Sequence, residues 1–337
     1  MVPITLETLT AVGSGLSRPE CVIACPDGAL LCSDSRGGIA RLKDGAVRLL
    51  GLRQGLVPNG LARLADGSLL AANVGAEGGV WYWREGQPFV QLSLTIDGQA
   101  LPEVNFVHVD DLGRLWICIS SSGEADPLFT TQAAEGSIWL CDSGGLRQVA
   151  SGLGWTNELA ISPDRRRLYV NETFGRRTLQ FDLADDGSLS NRQVLAIFGE
   201  GDYPDGIALD VEGGVWVVSI ISNRVYRIHE GRRTLMLSDT DAALVARLEQ
   251  KLQTQGLRRA DLHGLTTGRK LNNISSLAFG GPDMRTAFLG SLSGDCLWAF
   301  RSPVAGCVRP APEPDPGIKQ YLSLGFPPGL KSGFIVD

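Results

Sequence analysis

Six polar residues, Glu20, Asn59, Asn105, Asn157, Asp205 and Ser275, each open a similar phrase: the polar residue, an apolar run, a turn containing Asp or Gly, and a second apolar run. Two are acids, three are amides and one is a hydroxyl. Gathered at one point, such carboxylate and amide oxygens suit a hard divalent cation. Calcium is the expected ion, with magnesium, manganese or zinc as alternatives. The absence of thiol and imidazole from the set counts against zinc. A cation held this way polarises a carbonyl as a Lewis acid, and a neighbouring carboxylate can serve as general base. The plainer reading is that Asn and Asp open turns at strand starts, as they often do. Glu20 is a poor turn former and does not fit it.

The elements that must position these residues follow from the repeat. The phrases begin PECVIACPDG at Pro19, PNGLARLADG at Pro58, VNFVHVDDLG at Val104, TNELAISPD at Thr156, PDGIALDVEGG at Pro204 and ISSLAFGGPD at Ile274. The polar residues are 39, 46, 52, 48 and 70 apart. A four-stranded propeller blade takes about 40–50 residues. The spacing predicts an all-β, six-bladed β-propeller with residues 1–337 forming a single domain. Innermost strands line the channel of a propeller, so register-matched first residues meet at one mouth. Burying polar groups there is costly unless something satisfies them. In the longest step, Ala243, Leu244, Leu248 and Leu252 recur at helical spacing and predict an inserted helix over Ala242–Gln255, either a lid or an ornament. The Pro-rich PAPEPDPG from Pro310 predicts an extended strap.

These motifs, in this order, resemble the family of senescence marker protein, gluconolactonase and luciferin-regenerating enzyme over roughly Leu16 to Gly306. The specific features are PE in the first blade, TNELAISPD with RRRLYVNET in the fourth, and PDGIALD with EGGVWV in the fifth. The resemblance implies a calcium-type propeller in which Glu20, Asn157 and Asp205 coordinate the metal and Asn105 is a ligand or substrate contact. It also implies hydrolysis of a lactone or ester, with Asp205 as general base on a water. Asp205 as direct nucleophile is the other version. The alternatives are a phosphotriesterase or fluorophosphatase on the same fold, and a non-catalytic, metal-stabilised binding propeller.

Family members acting on sugar lactones carry an Arg two residues before the third-blade Asn and an Asp just after it. Here those positions are Glu103 and Phe106. Their loss predicts a substrate less polar than a sugar lactone, since a site built to bind hydroxyls discriminates strongly. Trp155 is expected at the channel mouth, against a ring or simply at the rim. His108, on the strand face of Phe106, is either a proton carrier or a structural histidine.

The rest of the sequence narrows the class. The 337 residues carry a net charge of −6 with no basic run, which points away from nucleic acid. No apolar stretch is long enough to span a bilayer, and MVPITLETLT lacks the layout of a signal peptide. Seven cysteines, an odd number set mostly in apolar runs, suit reduced thiols in the cytoplasm. There is no G-x-S-x-G elbow and no phosphate-binding glycine loop. The expected partner is a small-molecule substrate; nothing in the sequence indicates an oligomeric state.

Overall fold

The turns that join first to second strands show how the repeat is built. Asp110 Oδ1 accepts the N–H groups of Leu112 and Arg114, and Oδ2 accepts the Trp116 indole N–H at 2.9 Å. Asp210 does the same for Glu212, Gly214 and Trp216. Gly113 and Gly213 take φ of +79° and +83°, a conformation that costs Gly little. One carboxylate thus closes a turn and anchors a fully buried indole of the next strand.

The computed structural model describes residues 4–121, 128–262, 265, 267–307 and 310–324. Within them the chain forms six four-stranded antiparallel sheets. Their first strands are Val22–Ala24, Pro58–Arg63, Phe106–Val109, Thr156–Ile161, Asp202–Leu209 and Ile274–Gly280. Each packs on the first strand of the next sheet and the sixth packs on the first, closing a ring. The molecule is a six-bladed β-propeller, and its apolar cores lie between sheet faces. The sixth blade takes its outer strand from the chain start: Thr10–Val12 pairs with Leu297–Arg301, Thr10 opposite Ala299. This non-covalent closure completes the fourth strand of the sixth blade and ties the first residues of the ring to the last.

The predicted insertion is α1, Ala242–Thr254, capped by Asp241, whose side chain accepts the N–H groups of Ala243 and Leu244. Leu244, Leu248 and Leu252 pack with Phe129, Phe174 and Tyr203. Glu249, buried on the same face, accepts from the Tyr203 hydroxyl at 3.0 Å and the Gly201 N–H at 2.8 Å. A short α2, Arg259–Leu262, follows. The strap forms as expected where Ala65 N–H donates to Pro312 O at 3.0 Å. It then turns into α3, Pro316–Leu324, which sequence reading took for extended chain. Proline is at home in the first helical turn, where its missing N–H costs nothing. Asp315 accepts the Gly317 N–H there, and Ile318 is buried against the third blade. Among the described residues no helix is long and apolar enough to cross a membrane.

Candidate functional site

Asn59, Asn157 and Asp205 sit on β-bulges, whereas Glu20 and Asn105 stand just before the first strands of their blades. Between Pro58↔Asn73 and Leu61↔Ala71 the inner strand carries one residue more than its partner. The same shift occurs between Thr156↔Glu172 and Leu159↔Val170, and between Pro204↔Ser219 and Ile207↔Val217. A bulge re-aims the side chain it carries. Glu20, Asn59, Asn105, Asn157 and Asp205 line one cavity of about 460 Å³ at the mouth where the inner strands begin. Ser275 does not line it; its Oγ donates to the Glu20 backbone carbonyl at 2.9 Å.

Hydrogen bonds fix the polar groups around this cavity. Asn59 Nδ2 donates to Glu20 Oε1 at 3.1 Å and to Asn105 O at 2.8 Å. Asn157 Nδ2 donates to Thr173 Oγ1 at 3.0 Å, and that hydroxyl donates to Pro204 O at 2.9 Å. Four oxygens are left buried without a hydrogen-bond partner: Glu20 Oε2, Asn105 Oδ1, Asn157 Oδ1 and Asp205 Oδ1. Each buried, unsatisfied acceptor costs about 1–3 kcal/mol, more if charged. Burial pushes the Asp205 carboxyl well above the usual carboxylate range, with Glu20 and then Glu158 adding to it. Burial likewise takes Glu20 up to about 7, against the pull of Arg18 and Asn59. Among the described residues no group of three or more His, Cys, Asp and Glu side chains could hold one ion. This cavity offers two carboxylates not tied to a cation, those of Glu20 and Asp205, with amide oxygens beside them, while the carboxylate of Glu103 is paired with Arg259. An all-oxygen donor set whose members lack partners fits a hard divalent cation.

Arg18, Glu103 and Trp155 also line the cavity. Arg18 donates from Nη2 to Asn59 Oδ1 at 2.6 Å. Glu103 is ion-paired to Arg259 of α2, Nη2 to Oε2 at 2.7 Å. Trp155 lies at the rim with φ +70°, an outlier for a bulky residue that only a surrounding framework sustains. Phe129 and Phe174 supply that framework, meeting its ring edge-on at 4.6 and 5.6 Å between centroids.

Residues 18–242 match the family described as SMP-30/Gluconolactonase/LRE-like region. The chain belongs to this family. A 6-deoxy-6-sulfogluconolactonase from Pseudomonas putida is 28% identical over 330 residues, covering 90% of this chain and 98% of that protein. The pentonolactonase XacC of Haloferax volcanii is 23% identical over 168 residues, 49% of this chain and 48% of its own. Among solved structures, a gluconolactonase from Xanthomonas campestris shares the fold with a TM-score of 0.64 at 22% identity, covering 89% of each chain. Regucalcin, a calcium-binding protein from Agrobacterium tumefaciens, does so at 0.60 and 15%, covering 93% of this chain and 94% of its own. The family match takes in Glu20, Asn105, Asn157 and Asp205 and stops at Ala242, where α1 begins.

Two residues expected in the pocket lie elsewhere. Phe106 is buried in the core against Gly60, where an added Cβ would come within 2.5 Å of its ring. Phe106 and His108 line a separate cavity of about 680 Å³, toward the other end of the inner strands. One step along the strand carries a side chain past the ring of ligand-type residues into the opposite half of the channel. Glu103 does reach the pocket, but it brings a guanidinium with it.

Sequence reading missed Glu158. It follows Asn157 on the fourth-blade bulge, where the second and fifth blades have Gly60 and Gly206. It is 3% exposed; Oε2 accepts the Ile207 N–H at 3.0 Å and Oε1 has no partner. Burial, reinforced by Glu20, holds its carboxyl well above the usual range. The signal in the sequence was an acid where two sister repeats carry glycine.

Proposed function

We propose that this protein is a metal-dependent lactonase, a carboxylic ester hydrolase whose substrate is a polar, sugar-type lactone. The observation that carries the reading is the set of four buried, unpartnered oxygens, one each on Glu20, Asn105, Asn157 and Asp205. Glu20, Asn157 and Asp205, with Asn105 beside them, would hold a divalent cation in the channel mouth, calcium by the chemistry of the donors. Such an ion supplies Lewis-acid polarisation of the lactone carbonyl.

Asp205 is the general base. It takes a proton from a water whose oxygen adds to the carbonyl carbon. The ring C–O bond then breaks, and the leaving oxygen recovers a proton from Asp205 to become a hydroxyl, which yields the hydroxy acid. Arg18 favours the ionised form of Asp205 by its charge. The Asn105 and Asn157 amides would orient the substrate and, when bound, the cation. Arg18, Asn59, Ser120, Ser293 and Arg259 give the pocket the hydrogen-bonding walls a hydroxylated ring needs, which replaces the less polar substrate expected from positions 103 and 106. The names of the sulfogluconolactonase and pentonolactonase relatives support the same substrate class. Seven free thiols suit a reducing, cytoplasmic setting, and we take residues 1–337 as one propeller domain.

The test is acid release from a panel of aldonolactones, aliphatic lactones and phosphotriesters, with calcium and after chelation. Lactone turnover lost on chelation and restored by calcium is expected. Turnover of phosphotriesters alone, or calcium binding without any turnover, would replace this reading with the other hydrolase or with a binding protein.

A further inference from the structure

Two guanidinium groups line the candidate pocket, and they come from opposite ends of the fold. Arg18 stands two residues before Glu20, in a left-handed conformation with φ +51° that directs the chain into the first blade. Arg259 belongs to the helical insertion, beyond the residues 18–242 that match the family. The charge of Arg259 opposes that of Arg18. Like charges are not brought to one cavity without cost, so both side chains are tied down. Arg18 uses Nη2 on Asn59 Oδ1 and Nη1 on Pro58 O. Arg259 uses Nη2 and Nη1 on the two oxygens of Glu103, at 2.7 and 3.5 Å. A guanidinium has five N–H donors, so these bonds leave capacity on both.

The insertion is built to hold Arg259 there. Leu244, Leu248 and Leu252 of α1 anchor it on Phe129, Phe174 and Tyr203. Leu257, fully buried, bridges to Phe129 through paired backbone bonds of 3.0 and 2.7 Å. Leu262, one turn after Arg259, lines the same cavity. Glu103, Glu20 and Asp205 bring three carboxylates to this wall, against two guanidiniums. With a divalent ion in place, as the function proposed above requires, the pocket carries one net positive charge.

We propose that the lactone accepted by this site bears an anionic substituent, a carboxylate, sulfonate or phosphate, bound between Arg259 and Arg18, and that the helical insertion is the specificity element of the enzyme. The inference rests on the lactonase reading. Arg259 and Arg18 each bring a planar fork of donors of the kind that pairs with oxyanions. Glu103 positions Arg259 through their ion pair.

The experiment compares kcat/KM for D-glucono-1,5-lactone with its 6-deoxy-6-sulfo and 6-phospho counterparts and with a glucarolactone, which separates the three kinds of anion. Wild type is expected to prefer at least one anionic lactone by about 100-fold at low salt, falling as salt rises. Arg259→Gln should reduce that ratio by roughly 10- to 100-fold, the effect of a lost charge-assisted hydrogen bond. Arg259→Lys should retain part of the preference, which guards against mere misfolding. A wild-type ratio near one, or a ratio untouched by Arg259→Gln, overturns the proposal while leaving the lactonase reading intact. If no lactone is turned over, that reading fails. Calorimetric binding of the corresponding open-chain acids, with and without the second anionic group, then decides this one: equal affinities overturn it, and tighter binding of the dianion that Arg259→Gln abolishes upholds it.

Discussion

Glu158 Oε2 accepts the Ile207 backbone N–H at 3.0 Å, so a buried acid of the fourth blade is tied to the fifth-blade strand that carries Asp205. The acid that looks redundant for binding a cation thus braces one of the candidate ligands. Its raised pKa means that the folded protein binds a proton more tightly than the unfolded chain does. Stability from this group is therefore fully present below the unfolded carboxyl value and is lost as pH rises toward the folded one. In chelated protein, Glu158→Gln keeps an acceptor for Ile207 and removes the titration. Urea unfolding at pH 5 and pH 8 should show the variant losing less stability with pH than wild type. Parallel curves would mean Glu158 does not titrate in this range. Glu158→Ala should cost about 1–3 kcal/mol at either pH, because Ile207 N–H loses its acceptor.

Asp205→Asn preserves the shape of the side chain and one oxygen ligand while removing the base. Circular dichroism and Tm without metal should match or exceed wild type, since a buried ionisable group has been made neutral. Hydrolysis should fall by about 10²–10⁴-fold at saturating calcium. Near-full activity under those conditions would leave Asp205 as a ligand only.

Protons and cation compete for Glu20 and Asp205. The Glu20 carboxyl, at about 7 without metal, is largely protonated at pH 6 and largely ionised at pH 8. Calcium affinity measured by calorimetry should therefore strengthen between those values, with proton release on binding. At a calcium concentration of about 100 Kd the ion should stabilise the fold by about 2.7 kcal/mol. An affinity independent of pH would remove the two carboxylates from the ligand set. Glu20→Gln should weaken calcium binding more than it perturbs the fold.

Phe106 packs on Gly60 and lines the cavity toward the other end of the inner strands. Phe106→Ala should cost about 3–5 kcal/mol of stability through the cavity it leaves. The ratio of kcat/KM between sugar lactones and apolar lactones should stay where it is. A change in that ratio larger than the change in total active enzyme would put Phe106 back against the substrate.

Much of this protein is determined by its sequence alone. Strand, turn and strand recur at blade-sized intervals, and each copy brings its own Asp or Gly to the reversal, so six sheets follow from local chemistry repeated six times. The ring of Glu20, Asn59, Asn105, Asn157 and Asp205 is legible for the same reason: equal register in a closed array means equal depth in the channel. α1 is equally local, carried by leucines at helical spacing and an Asp cap.

What remained was decided by contacts between residues far apart in the chain. That Glu103 is neutralised depends on Arg259, 156 residues away, which reaches it only because the insertion folds back over the fourth and fifth blades. That Phe106 leaves the pocket depends on how far one step along an inner strand carries a side chain through the channel, and on the space left by Gly60 in the neighbouring blade. Glu158 lacks any helical or strand period that would mark it; its meaning comes from the low-dielectric axis into which the bulge turns it. Repetition reveals what all blades share, whereas charge pairing across the channel mouth depends on where the insertion docks, and only the packed structure determines that.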